Sequence, residues 1–234
     1  MITLREFPLP QDIVSKGALA ILGQWKKEVK RAVGIKRAEK LVAYANQSIG
    51  LTTGLQAARL ELKALLEQYD LYAKQMEEVM KKVEELVSQI PGTQEMLTIP
   101  GLGFVTLAGF LAEVGDLNGY QHGQQIIRLA GLNLKENSSG KHKGQSTISK
   151  RGRKRLRALL FRCVLPMVAK NNEFKALHQY YTTRNQNPLK KKQSIIALCG
   201  KLIRVLHTLG TRKVVYNAND VLGPHRMNQL QVAA

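Results

Sequence analysis

The amino-acid sequence predicts a mainly α-helical protein, and three observations indicate this class. Apolar residues recur at steps of three and four over most of the chain, which places them on one face of a helix. The segment from Gly54 to Ile90 contains no internal glycine or proline and therefore predicts one long helix. Two shorter periodic segments end at Gly34 and at Gly131, and the long segment ends at Pro91-Gly92. Helices commonly end at such residues.

Residues 1–92 are predicted to form a helical and coiled-coil segment. Residues 15–49 predict two helices on either side of Gly34, with Trp25 in their core. Within residues 54–90 the apolar positions alternate steps of three and four, which is a heptad seam held over four repeats. The seam residues are Leu62, Leu65, Tyr69, Tyr72, Met76, Val79, Val83, Leu86 and Ile90.

A heptad seam of this regularity needs a partner helix. The partner is either an earlier helix of the same chain or the same helix of a second copy. A second copy predicts a homodimer or higher oligomer through residues 54–90. The two tyrosines pack less well than leucine or isoleucine would, so the intramolecular partner stays open.

Residues 93–216 are predicted to form a second helical domain that begins with a helix-hairpin-helix pattern. The segment TQEMLTIPGLGFVTLAGFLAEVGD predicts a short helix, a Pro-Gly-Leu-Gly turn and a second helix. Gly101 and Gly103 allow the turn to approach another backbone, and the free N–H groups that start the second helix suit a phosphate. The same residues also fit a purely structural corner.

Positive charge is confined to the second part of the chain. Residues 1–117 contain 14 basic and 14 acidic residues, whereas residues 118–234 contain 22 basic and three acidic residues and so hold the whole net charge of +19. A field of one sign attracts polyanions and gains affinity by releasing counterions from phosphates. A surface kept for solubility would mix both signs, and a membrane-binding surface would concentrate the charge on one amphipathic helix.

The centre of this basic part is a predicted loop. Residues 121–132 predict a short helix, and the stretch from Lys135 to Arg157 contains nine basic residues and one acid. The sequence favours an exposed hairpin or loop at 135–149 and then a helix. The predicted buried face of that helix is Leu156, Leu159, Leu160, Cys163 and Val164. Two further helices complete the domain, and residues 217–234 are predicted to be a disordered tail.

Composition excludes several classes of protein. Cys163 and Cys199 lack metal-ligand spacing and predict small core residues in a reducing compartment. The N-terminus has no apolar signal core, and the longest apolar stretch, FVTLAGFLAEV, is shorter than the roughly 20 residues of a membrane span. We therefore expect a bacterial cytoplasmic protein, associated with the nucleoid and without a membrane partner.

Catalytic chemistry in the basic part would require a nucleophilic side chain. Its carboxylates are scattered at 136, 173 and 220, which excludes a two-metal cluster, and no histidine pair or phosphate-binding glycine loop has the usual spacing. Ser139 is the best candidate because it precedes Gly140 in a predicted turn with cationic neighbours that would stabilise a pentavalent phosphorus. Taken alone, a Ser-Ser-Gly pattern is typical of an ordinary turn. The other candidates are Ser138, Ser149, Tyr180 and Tyr181.

Three segments in order carry a family resemblance. LTIPGLGFVTLAGFLAEVGD, LAGL and SSGKHKGQSTISKRGRKRLRALL together resemble the C-terminal domain of insertion-sequence transposases related to the Piv DNA invertases, which are bridge-RNA-guided recombinases with a serine nucleophile. The resemblance covers about residues 95–215. It implies that Ser139 is the nucleophile, with Ser138 as the alternative alignment, and that DNA and a guide RNA are the partners.

The resemblance and the charge together give the expected nucleic-acid-binding residues. They are Gly101, Gly103, Lys141, Lys143, Lys150, Arg151, Arg153, Lys154 and Arg157. We expect the cations to form a cradle around Ser139 that grips phosphates and neutralises the attacked one, and Gly101 and Gly103 to let the helix-hairpin-helix approach the phosphate backbone.

The chain departs from the family pattern in two places. Leu134 stands where the family usually has a proline, which affects only the local turn. The family also begins with a RuvC-like domain whose Asp-Glu-Asp-Asp tetrad binds Mg²⁺, and nothing in residues 1–95 resembles that domain. The expectation is a C-terminal fragment without a cofactor of its own, which binds nucleic acid but does not recombine DNA by itself. A non-enzymatic binding module or decayed transposase remnant is the alternative, and a coiled-coil scaffold is the third.

Overall fold

The structure is a computed structural model that describes residues 1–28, 32–135, 138–139, 142–143 and 147–224. It is predominantly helical, as predicted. The chain divides into two compact units, residues 1–80 and residues 81–234.

In the first unit, the second and third helices pack against each other, and a short helix before them and most of a long helix after them complete the unit. Its helices are α1 (Ile2–Glu6), α2 (Pro10–Glu28), α3 (Ile35–Asn46) and α4 (Leu55–Ser88), of which α4 continues into the second unit. Gly34 precedes α3, as predicted, and α2 is kinked at Gly17, whose φ is +72°. The core of this unit contains Phe7, Ile13, Ile21 and Ala38, with Trp25 packed against it.

An ion pair joins α2 to α4. Arg59 on α4 donates to both carboxylate oxygens of Asp12 on α2. This hydrogen bond from Arg59 lowers the pKa of Asp12, so the pair stays charged at neutral pH. A second pair, between Arg5 and Asp70, is exposed and contributes little to stability.

The long helix predicted for residues 54–90 is confirmed as α4, whereas its coiled-coil partner is not seen. Leu65, Tyr69, Tyr72, Met76 and Val79 are each more than half exposed. Among the seam residues, Leu62 and Val83 are partly buried, and Val83 packs against the core of the second unit, whereas Leu86 and Ile90 at the end of the seam are exposed. The coiled coil therefore stays a prediction.

The second unit contains seven helices and four short strands in the part that the structure describes. They are α5 (Thr93–Leu97), α6 (Phe104–Val114), α7 (Gly123–Leu129), β1 (Leu134–Lys135), β2 (Ser138–Ser139), β3 (His142–Lys143), β4 (Thr147–Ile148), α8 (Lys154–Lys170), α9 (Asn172–Thr183), α10 (Lys191–Arg212) and α11 (Ala218–Leu222). A single 3-10 turn, Leu117–Gly119, connects α6 to α7.

Helix α10 is the centre of this unit. It packs against α5, α7, α8 and α9 and buries Leu198, Cys199, Leu202 and Leu206 completely or nearly so. By length and composition alone α10 could cross a membrane, but here most of it is enclosed by the other helices. Both cysteines are buried, as predicted, and burial raises the pKa of Cys163 to about 11 and that of Cys199 to about 12. Their thiols are therefore protonated and unreactive at neutral pH.

Direct contacts fix the directions of the helices. Gly109 of α6 contacts Leu159, near the start of α8, while Gly101, before α6, contacts Met167 near the end of α8. The two helices are therefore antiparallel. Helices α7 and α10 are also antiparallel, because Gly123 contacts Arg204 whereas Gly200 contacts Ile127.

These directions give the second unit two ends. The basic end consists of residues 128–135, 147–157 and 184–193, where α7 and α9 finish and α8 and α10 begin. The turn end consists of residues 98–104, 167–173 and 210–217. It holds the turn between α5 and α6 and the last residues of α8 and α10.

Part of the region predicted as a disordered tail is helical in this structure. Asn217 caps α11 by accepting from the backbone N–H of Asn219 at 3.0 Å, and Val221 is buried in the core. Residues 225–234 of that region lie outside the described residues.

Candidate nucleic-acid interface

The basic hairpin is attached to the helices through two glycines in backbone contact. Gly131 has a φ of +66° and Gly152 a φ of +143°, both in the region that favours glycine. A Cβ on Gly152 would lie 2.3 Å from the carbonyl oxygen of Leu129 and 2.8 Å from the nitrogen of Gly131. Because both distances are far below van der Waals contact, no side chain fits there.

Backbone hydrogen bonds continue outward from this glycine contact. The N–H of Arg153 donates to Leu129 at 2.7 Å, that of Lys150 to Gly131 at 3.0 Å, and that of Ser149 to Asn133 at 2.8 Å. The Ser149 hydroxyl also donates to the Asn133 side chain at 2.7 Å. Ser149, one of the predicted candidate nucleophiles, therefore has a structural partner here.

The hairpin predicted for residues 135–149 is confirmed as two nested antiparallel strand pairs. Strand β1 pairs with β4, with Lys135 opposite Thr147. Strand β2 pairs with β3, with Ser139 opposite His142. Residues 140 and 141 lie outside the described residues.

The two candidate serines lie on strand β2, and only their backbone is described. Ser138 is opposite Lys143 and Ser139 is opposite His142, the last described pair before the turn of the hairpin. Lys141, a predicted phosphate contact, lies outside the described residues. The structure therefore places Ser139 toward the tip of a hairpin whose base is fixed by the glycine contact.

Two of the predicted phosphate-binding arginines are hydrogen-bonded inside the chain. The Arg153 guanidinium donates to the Glu113 carbonyl oxygen and lies 3.9 Å from the Glu113 carboxylate, which ties α8 to the end of α6. Arg157 donates to the Ala130 carbonyl oxygen at 2.9 Å, which ties α8 to the end of α7. Both side chains position the hairpin base.

Three other predicted cations are exposed at the same place. Lys150, Arg151 and Lys154 have no ion pair or side-chain hydrogen bond within the described parts of the chain. Arg155, which is not among the predicted phosphate contacts, is also exposed. It could have been found from the sequence, because it belongs to the same basic run at the start of α8.

The turn that contains Gly101 and Gly103 is a braced corner. Gly101 has a φ of +88°, and a Cβ there would lie 3.4 Å from the Met167 side chain. The side-chain amide of the buried Asn171 donates to the Pro100 carbonyl oxygen at 3.1 Å. Around Gly103, by contrast, no atom lies within 4 Å of the position a Cβ would take.

A C-terminal tyrosine completes this brace. The backbone N–H of Tyr216 donates to the Thr98 hydroxyl at 2.9 Å, and its phenol donates to Glu173 at 3.0 Å. Burial is the main cause that raises the pKa of Tyr216 to about 12, so the phenol keeps its proton. The candidate nucleophiles Tyr180 and Tyr181 are half-buried on α9.

The predicted nucleic-acid-binding residues lie at both ends of the unit. Arg153 contacts Glu113 at the basic end, whereas Gly101 contacts Met167 at the turn end. Between Arg153 and Met167, α8 rises by about 21 Å at roughly 1.5 Å per residue. Gly101 and Gly103 therefore cannot surround the same phosphate as the cations of the hairpin base.

No metal site accompanies these residues in the described ranges. No group of three or more histidine, cysteine, aspartate or glutamate side chains lies close enough there to hold an ion.

The close approach of the two glycines predicts an unequal effect of two alanine substitutions. Gly152→Ala should lower the free energy of unfolding by more than about 2 kcal/mol, because the new methyl group meets backbone atoms that cannot move independently. Gly119→Ala is the matched control, since nothing lies within 4 Å of its Cβ position and its φ is not positive. Urea unfolding followed by circular dichroism measures both. Equal stability of the two variants would contradict the described contact.

The second unit is similar to known transposases over much of its length. Residues 93–179 match the model of the transposase IS116/IS110/IS902 family. This match covers the α5–α6 turn, the glycine contact, the hairpin and α8. It does not reach α10.

Three curated relatives are also similar to this chain. The chain is 33% identical over 105 residues to the transposase for insertion sequence element IS1328 of Yersinia enterocolitica, covering 44% of this chain and 30% of that protein. It is 32% identical over 116 residues to the pilin gene-inverting protein of Moraxella bovis, covering 49% and 35%. It is 29% identical over 177 residues to the transposase for insertion sequence element IS1111A of Coxiella burnetii, covering 74% and 46%. The matched region thus spans less than half the length of each of these relatives.

Proposed function

We propose that this chain binds duplex DNA through its basic end and takes part in DNA transposition or site-specific recombination, with Ser139 as the nucleophile. The anchored hairpin is the observation that carries the proposal. It presents a serine pair beyond a rigid base lined with exposed cations, and it lies inside the region that is similar to transposases. The turn end has no comparable group of exposed cations beside a serine.

Lys150, Arg151 and Lys154 are the proposed phosphate contacts at the hairpin base. They are exposed, and the ion pairs of this region involve Arg153 instead. Each cation that neutralises a DNA phosphate releases condensed counterions and so adds salt-dependent affinity. Lys141 and Lys143, which flank the turn after Ser139 in the sequence, are proposed to neutralise the attacked phosphate.

The proposed chemistry is a transesterification at one phosphodiester. The Ser139 hydroxyl oxygen forms a bond to phosphorus while one phosphorus–deoxyribose oxygen bond breaks. The serine proton passes to water, and water supplies one proton to the leaving deoxyribose oxygen, which ends as a hydroxyl. Because one ester replaces another, the phosphoserine link conserves the bond energy and the strand can be rejoined without ATP. Ser138 is the alternative nucleophile.

This chain supplies no evident site for Mg²⁺ in its described residues, and no step of the proposal uses a metal held there. The cationic side chains of this chain contribute electrostatic stabilisation of the transition state.

Three further contacts belong to this proposal. The backbone at Gly103, which starts α6, is open and suits a phosphate about 21 Å along α8 from the hairpin base.

The exposed α4 seam is proposed to pair two copies of the chain, because strand exchange requires two duplexes to be held together. A guide RNA, also a polyanion, would bind through the same cations.

Removing the exposed cations should weaken DNA binding without unfolding the protein. In the variant Lys150→Gln, Arg151→Gln, Lys154→Gln, the slope of log K against log salt concentration should become less steep by about 2.7, which is three times about 0.9 per phosphate contact. Fluorescence anisotropy with a short labelled duplex, repeated over a NaCl series, measures the slope. The matched control removes three exposed lysines of the first unit, Lys26, Lys27 and Lys36, and should leave the slope unchanged. Equal slopes in both variants would argue against the basic end as the DNA-binding surface.

Ser139→Ala should separate catalysis from binding. The substitution removes one hydroxyl and no charge, so DNA affinity should be unchanged while the covalent protein–DNA adduct is lost. Excision is measured in cells that carry the intact genetic element, and the adduct is detected by denaturing gel electrophoresis. Ser138→Ala is the control and should retain the adduct. Unchanged excision with Ser139→Ala would exclude Ser139 as the nucleophile, and loss of the adduct with Ser138→Ala would then assign that role to Ser138.

Charges placed in the α4 seam should dissociate the proposed dimer. Tyr72→Glu with Met76→Glu would bury carboxylates between the helices and should weaken association at least a hundredfold, because such burial costs at least about 3 kcal/mol. Lys74→Glu with Lys81→Glu, at exposed positions outside the seam, is the control. Sedimentation equilibrium measures both variants. A monomeric unsubstituted chain would contradict the pairing.

A further inference from the structure

A second group of cations lies at the basic end, outside the residues expected to bind nucleic acid. Between Glu173 and Asp220 the sequence contains nine basic residues and no acid. Three of these, Lys190, Lys191 and Lys192, are consecutive and exposed where α10 begins. We call these three residues the lysine cluster.

Hydrogen bonds hold the segment that carries the lysine cluster. The N–H of Leu189 donates to the Tyr181 carbonyl oxygen at 2.8 Å, which fixes the segment to the end of α9. Arg184 donates to the Asn187 carbonyl oxygen at 2.9 Å. The N–H of Lys190 donates to the Gln193 side chain at 2.9 Å. The three lysines therefore extend from a defined backbone.

The lysine cluster is electrostatically unfavourable unless it meets an anion. Within the described ranges, none of the three ammonium groups has a carboxylate partner within ion-pair distance. They also stand at the positive end of a 22-residue helix whose first turn contains no acid. Like charges repel there, and a polyanion would relieve the repulsion.

The helix contacts place this cluster beside the hairpin base. Since Gly200 contacts Ile127 and Arg204 contacts Gly123, the same register puts position 196 of α10 next to Gly131. Lys192 lies one helical turn further, a rise of about 6 Å, and neighbouring helices pack about 8–10 Å apart. The lysine cluster is therefore about 10–15 Å from the glycine contact, which is comparable to the roughly 12 Å width of the DNA major groove.

We infer that Lys190, Lys191 and Lys192 bind the phosphates of the same DNA duplex as the hairpin base, on the other side of one groove. This inference rests on the proposed DNA binding and extends it to α10, which lies outside residues 93–179, the part that matches the transposase family model. Double-stranded DNA fits because its two backbones present rows of phosphates at this separation.

The test is a comparison of salt dependence in the full 234-residue chain. The variant Lys190→Gln, Lys191→Gln, Lys192→Gln should make the slope of log K against log NaCl less steep by about 2.7, from three contacts of about 0.9 each. Combining it with the three hairpin-base substitutions should add the two changes, while the number of duplexes bound per chain stays the same. The control is again the variant of Lys26, Lys27 and Lys36. Thermal unfolding should occur at the same or a higher temperature, because like charges at the helix start are removed.

The outcomes distinguish the proposed DNA binding of the chain from the inferred role of the lysine cluster. If the unsubstituted chain fails to bind the duplex, the proposed function and this inference are both overturned. If it binds and the lysine variant keeps the same slope, only this inference is overturned. A reduced number of bound duplexes, or a loss of binding to a structured RNA with DNA binding unchanged, would also overturn it, since the cluster would then hold a different molecule.

Discussion

The backbone contact between Gly131 and Gly152 is the constraint on which the candidate site depends. It brings the end of α7 and the start of α8 together, so the chain between them must leave the helices as a hairpin. The hydrogen bonds of Arg153 and Arg157 to neighbouring helices hold that crossing in place. A reactive hydroxyl on a flexible loop would seldom meet a phosphate in line, whereas a hairpin on a fixed base limits its positions.

The basic residues around this contact are of two kinds, some hydrogen-bonded to neighbouring helices and others exposed. Arg153 and Arg157 have planar groups with several donors, which suits them to bridge carbonyl oxygens of adjacent helices. Lys150, Arg151 and Lys154 remain exposed around them. The cations of the second part thus form two groups, since some stabilise the fold and others are exposed and belong to the proposed DNA-binding surface. The turn at Gly101 belongs to the fold more than to this surface, because it is packed against α8 and braced by Asn171 and Tyr216.

Sequence periodicity predicted the helices well, because burial on α8 and the long uninterrupted α4 depend on spacing within one segment. The hairpin at 135–149 could also be predicted, from glycine-bearing turns ahead of a basic helix start. The separation of Gly101 from the hairpin could not, since it depends on α6 and α8 being antiparallel, which no local pattern encodes. For the same reason, the sequence could not show that Arg153 would be engaged by Glu113, or that the run at Lys190 would lie beside the hairpin base. Neighbours across the core decide these roles.

Hydrogen–deuterium exchange of the full chain, with and without a DNA duplex, tests most directly whether the basic end is the nucleic-acid interface. We expect slower exchange in the presence of DNA for peptides that cover residues 128–135, 147–157 and 184–193, with smaller changes at the opposite end. Protection confined to residues 98–104, or no protection at either end, would contradict it.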